Sequence, residues 1–252
     1  MNLLNFQTIA ALLVFVASIA TIIYPLRRRS ALEHPESIEL GEAFASGIFL
    51  GASFFHMLPD SIRGFRDVYP ALSYPLPEFI CIAGFLFLQF LEQFVPQKER
   101  LSQSSIPYVF ALILIIHALA EGAALGLVPT FPEALMIFIA IMAHKGSESF
   151  ALCVLLLRHQ LPIKRILFVI IFFSLMTPIG ILLGTAVSQF KMSGSVLIEA
   201  IFNAFVAGTF LYMSTLHHVR FHHHDASVTQ SRLAFLSLLT GLLLMGLLAW
   251  WA

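Results

Sequence analysis

The sequence predicts an all-α integral membrane protein of eight transmembrane helices with both termini outside the cytoplasm. Three observations carry that prediction. Apolar residues make up 59% of the 252 positions and charged residues only 11%, against about 45–50% and about 25% in soluble domains. A chain of this composition cannot cover a water-facing surface. Apolar stretches near the length needed to cross a bilayer core recur eight times. Basic residues gather on alternate connections, as they do on cytoplasmic loops. The net charge is zero and no basic block is present, so the lipid bilayer rather than nucleic acid is the expected surrounding. Cys81 and Cys153 lie in apolar stretches at no metal-binding spacing, so no disulfide framework is expected.

Taken in order, the first span covers roughly 4–25. It lacks the basic leading segment and small-residue cleavage site of a secretory signal, and it runs into Arg27, Arg28 and Arg29. It reads as a retained helix whose C-terminal end faces the cytoplasm. The second span, 39–59, and the third, 76–95, follow, the third closed by Pro96. The fourth, 107–128, opens at Pro107, and a tight outer turn with Pro129 leads into the fifth, 132–157. Pro162 precedes the sixth, 164–188, and the seventh and eighth cover 196–216 and 232–251. With the N-terminus outside, the cytoplasmic connections carry ten basic residues and the outer ones three, Arg63, Arg66 and Lys191. That bias sets the orientation, and residues 1–252 read as a single eight-helix domain.

Most spans are Leu, Ile and Phe. The fourth and fifth carry His117 with Glu121, and His144 with Lys145 and Glu148. Each His and Glu stand four apart, on one helix face and one turn from each other. An ionisable group at mid-membrane costs several kcal/mol unless paired or hydrated. Counted from the outer turn, Glu121 lies about nine residues inward and His144 about fourteen, which at about 1.5 Å per residue is near the bilayer centre. Antiparallel packing brings two imidazoles and two carboxylates together. Such a set suits a four-coordinate divalent transition metal, and two carboxylates neutralise the dication. Mutually satisfied polar pairs locking two helices, or haem ligation by the two histidines, are the plainer alternatives. The second leaves two buried acids unexplained. Beside the acids, Gly122, Ala123, Ala124 and Gly126, and Gly146, Ser147 and Ser149, form thin faces suited to close packing or sliding.

The stretches His117–Gly126 and His144–Leu152 resemble the fourth- and fifth-helix signatures of the ZIP (Zrt/Irt-like) family of divalent-metal transporters. The second-helix stretch Gly47–Asp60, Met176–Gly180 in the sixth and Ala207–Tyr212 in the seventh extend the likeness along nearly the whole chain. The resemblance implies a ZIP-like bundle in which helices one, four, five and six move against two, three, seven and eight. It implies a transport site at His117, Glu121, His144 and Glu148. Family members with a second metal use polar ligands beside each His and one in helix six. Here those neighbours are Ala118 and Lys145, and helix six offers Ser174 and Thr177 without a carboxylate. The expectation is therefore one metal, with the Lys145 ammonium standing where a second cation would be. Lys145 lies about as deep as His144, too deep for its stem to snorkel to the inner interface.

Other departures concern the mouths of the site. The loop between helices three and four carries no His-rich tract, and His217, followed by His218, replaces the family's usual acid after the seventh-helix motif. A cluster of His222, His223 and His224 with Asp225 stands in the last cytoplasmic loop. These five histidines are the candidate exit, with incidental solvated loop residues as the plainer reading. His56 and Asp60, near the end of helix two, are the candidate entrance, with a helix-end role for Asp60 as the alternative. The function so read is transport of a divalent metal into the cytoplasm, with Zn²⁺ the leading substrate and Fe²⁺, Mn²⁺ and Cd²⁺ also suited to the donors. No permanent cofactor is expected, and a homodimer is one open assembly. The protein is placed in the cell membrane, plasma or inner. The competing reading is an intramembrane metal-dependent hydrolase with one Glu as general base. Four ligands rather than three and an open position count against it, as does the lack of a His-Glu-x-x-His run.

Overall fold

A computed structural model describes residues 2–27, 36–94, 106–187, 195–217 and 228–250. Every regular element among them is helical. In chain order these are α1 (Leu3–Arg27), α2 (36–68), α3 (Leu76–Phe94), α4 (Ile106–Leu127), α5 (Phe131–Arg158), α6 (Ile163–Val187), α7 (Ser195–Tyr212, continued by a π turn Met213–His217) and α8 (Val228–Leu248). Seven are long and apolar enough to cross a membrane, and α3, with its apolar part Leu76–Leu91, is shorter. Arg28, Arg29, Lys98, Arg100, Lys191 and Arg220, which weigh in the charge count, lie outside the described residues.

The second helix runs farther than the 39–59 expected from apolarity. It consists of Glu36–Ala52, a π turn Ser53–Met57 and Leu58–Val68. Arg63 and Arg66, assigned to an outer loop by the sequence, are therefore helical, and His56 and Asp60 stand within the helix rather than near its end. The apolar ruler stops where charge begins, but backbone hydrogen bonding does not. Pro59 has no N–H to offer one turn back, and the π turn just before it shifts the ladder, with Leu58 N–H bonded to Ser53 O. The last turns stay helical because an amphipathic pattern suffices to continue them.

The chain divides into two compact units. One holds α1, α4, α5 and α6, and the other α2, α3, α7 and α8, the same two sets of helices that the resemblance implies. In the second unit, glycines let backbones touch. A Cβ on Gly208 would stand 1.8 Å from Cys81 O, and one on Gly47 would stand 1.9 Å from Leu238 O. Only the absence of a side chain permits such approaches. Ser61 also ties α2 to α7, its hydroxyl donating to Ala200 O at 2.7 Å.

The first unit is built around α4 and α6. Gly122 and Gly126 on α4 face Gly180 and Gly184 on α6, each pair four residues apart. A Cβ on any of the four would lie 2.2–2.3 Å from a carbonyl oxygen of the partner helix, Thr177, Ile181, Leu119 or Ala123. The two backbones are in direct contact. Helix α1 is tied to this pair by Gln7, whose amide donates to Leu125 O at 3.1 Å and Gly126 O at 3.3 Å. Leu125 O would ordinarily accept from residue 129, which is a proline, so the side chain fills a gap the sequence creates. The Thr185 hydroxyl donates to Gln7 Oε1 at 3.3 Å, joining α6 to the same knot.

Helix α5 starts and stops by side-chain and turn chemistry. Thr130 is its N-cap and accepts from Glu133 N–H, with Pro132 in the first turn. At the other end Gln160 takes a positive φ of 54°. Gln160 N–H bonds to Leu157 O and Leu161 N–H to Leu156 O, closing a Schellman turn. Between these ends α5 carries His144, Lys145 and Glu148 on its buried side.

Candidate metal centre

His117 and Glu121 sit one turn apart on α4, and His144 and Glu148 one turn apart on α5. Helical spacing accounts for each pair, and the packing of α4 against α5 brings the pairs together. One ligand atom from each of the four residues falls within 4.8 Å of all the others. His117 Nε2 lies 2.9 Å from Glu121 Oε1 and 3.3 Å from Glu148 Oε1. His144 Nε2 hydrogen-bonds Glu121 Oε1 and lies 3.7 Å from Glu148 Oε1. The imidazole rings are 6.1 Å apart between centroids. Donors about 2.0–2.2 Å from a tetrahedral ion stand about 3.3–3.6 Å from one another. The observed spacings bracket that range, so small side-chain adjustments suffice to admit an ion.

The site is largely buried. His144, Lys145 and Glu148 are fully buried, His117 is 2% exposed, and the Glu121 side chain keeps 8%. Lys145 completes the constellation. Its Nζ is 2.9 Å from Glu148 Oε2 and 3.6 Å from Glu121 Oε2, and it lies 4.3 Å from the centre of the Phe173 ring on α6. The Ser149 hydroxyl donates to Lys145 O at 3.2 Å, within the helix. On α6, Ser174 likewise donates to Ile170 O at 2.8 Å, while the buried Thr177 hydroxyl has no hydrogen-bond partner among the described residues.

His56 and Asp60 belong to the second unit, where His56 Nδ1 lies 3.1 Å from Asp60 Oδ2 and Arg63 pairs with Asp60 Oδ1. Both acid and imidazole are about a quarter exposed. The side chain of His217, and the whole of His218, His222, His223 and His224, lie outside the described residues. Phe173 is the site member that sequence reading missed. Nothing marks it among 25 phenylalanines until α6 is packed against α5.

A family model described as ZIP Zinc transporter matches residues 4–105 and 97–249. The zinc transporter ZIP1 of Takifugu rubripes is 31% identical over 228 residues, covering 73% of this chain and 76% of that protein. The human zinc transporter ZIP1 is 28% identical over 223 residues, covering 72% and 69%. Zinc transporter 3 of Arabidopsis thaliana is 26% identical over 279 aligned positions, covering 95% and 82%.

Proposed function

Because the chain belongs to the ZIP family of zinc transporters, we propose that it carries a divalent transition metal, zinc foremost, into the cytoplasm, held between His117, Glu121, His144 and Glu148. The observation that carries this reading is the convergence of four donor atoms within 4.8 Å on the largely buried sides of α4 and α5. Two neutral nitrogens and two carboxylates suit zinc, and Fe²⁺, Mn²⁺ and Cd²⁺ fit the same donors. The metal is cargo, so it must leave as readily as it binds. The chain is a multi-pass protein of the cell membrane and a transporter rather than an enzyme, as the family is one of transporters. The intramembrane hydrolase weighed from the sequence finds no support there.

In this reading Lys145 stands in for a second cation, which leaves one metal per chain. His56 and Asp60 draw the ion in, and His217, His218, His222, His223 and His224 receive it. The ten-to-three distribution of basic residues supports termini on the outer face and inward movement.

Uptake of labelled zinc into liposomes holding the purified protein tests the site, with lipid and peptide cleavage assayed alongside. Glu121→Ala and His144→Ala each lose uptake while still inserting in the membrane, and the double variant is little worse than either single. Normal uptake by either single variant would falsify the ligand assignment.

A further inference from the structure

The two carboxylates of the site are divided. Glu121 Oε1 and Glu148 Oε1 face the imidazole nitrogens, whereas Glu121 Oε2 and Glu148 Oε2 face Lys145 Nζ at 3.6 and 2.9 Å. The ammonium therefore occupies a side of the acids that the donor cluster does not use. It is fully buried and closed over by the Phe173 ring at 4.3 Å. A cation and a bound metal need not compete for the same oxygens.

This arrangement changes the charge arithmetic of a transport cycle. With neutral imidazoles, two carboxylates alone carry a formal charge of −2 when empty and 0 when holding a divalent ion. With the ammonium added, the same states carry −1 and +1. The cost of confining net charge in a low-dielectric interior grows with its square. The bare acid pair would favour the loaded state heavily and leave the empty one strongly disfavoured. The ammonium makes the two states equally burdened.

We propose that Lys145 is a resident counter-cation that equalises the empty and metal-loaded site, and so sets the rate at which the emptied transporter resets for the next ion. This rests on the ligand set proposed above. Lys145 touches the ligands and not the metal, so its part is to position and balance them. A transporter without it binds its cargo more tightly and turns over more slowly. Exchange of one metal ion for another empties the site only while it faces one side and never requires the emptied transporter to reset, so the loss spares exchange.

The experiment compares net uptake with exchange for the full-length protein in liposomes. Net uptake is read as labelled zinc entering vesicles that hold no metal, and exchange as labelled zinc entering vesicles loaded with unlabelled zinc. Lys145→Met, of matching length without charge, slows net uptake by about tenfold or more while exchange stays within about twofold of the parent. Lys145→Gln keeps hydrogen-bonding capacity toward both acids and gives the same split, which covers the case of a methionine variant that does not fold. Lys145→Arg retains the charge and restores the parental ratio. Equal losses in both assays for the two neutral variants, or no change in either, overturn the proposal. Glu121→Ala separates this outcome from the ligand reading: it loses both assays if Glu121 holds the ion, and retention of exchange there refutes the site itself.

Discussion

His117 and His144 each have an acid four residues on, and helical geometry alone turns that spacing into a shared face. This much of the candidate site is legible in the amino-acid order, because a four-residue interval needs no knowledge of tertiary packing. Lys145 is legible there only as an anomaly. Its position beside His144 marks a buried charge, but that its ammonium reaches Glu121 as well as Glu148 depends on how α4 lies against α5. Phe173 has no signal of any kind. The same donors give a test by pH. A proton and a metal ion use the same imidazole lone pair, and free imidazole titrates near pH 6.5. Protonation therefore subtracts from metal binding as the medium becomes acidic. Lowering the outer pH from about 7.5 to about 5.5 raises the zinc concentration that half-saturates uptake, measured on initial rates in liposomes. A lower half-saturating concentration at acid pH contradicts competition at these histidines.

Among the helices, the pair α4 and α6 leaves least room for change. A methyl group on Gly122 meets Thr177 O at 2.2 Å, a backbone atom that cannot rotate aside. A methyl group on Gly146, between His144 and Glu148 in the chain, meets among the described residues only the Thr21 side-chain methyl at 3.0 Å. Gly122→Ala therefore destabilises by about 1–3 kcal/mol through overpacking, lowers the thermal midpoint in detergent and reduces uptake, although no ligand is altered. Gly146→Ala shows a much smaller shift. Equal behaviour of the two variants would contradict backbone contact at Gly122. The thin faces on α4 and α5 are visible in the sequence as runs of small residues, with packing and sliding both open. Which partner each face meets is not visible, since glycine carries no side chain whose chemistry names a neighbour. The extension of α2 through Val68 is hidden for another reason. Apolarity reports the solvent around a helix, while the helix itself ends only when its hydrogen bonds do.

At the scale of the whole molecule, the eight helices of the described residues follow the eight apolar stretches because bilayer thickness imposes a length that sequence must obey. Their division into two units is beyond periodicity, as most of the helices have apolar residues on every side and lipid rewards all of them alike. Orientation rests on charge bias, and it is checked by a peptide epitope fused to either terminus. Antibody reaches both epitopes in intact cells if the termini are outside, and reaches them only after permeabilisation if they are not. The first unit holds the four donors, Lys145 and Phe173 together, and among the described residues none of this cluster is drawn from α2, α3, α7 or α8. On the proposed ligand set, every side chain that chooses the metal then belongs to one unit. Substitutions across α2, α3, α7 and α8 leave that proposed donor set intact. A lineage can tune its supply of metal without relearning which metal to take.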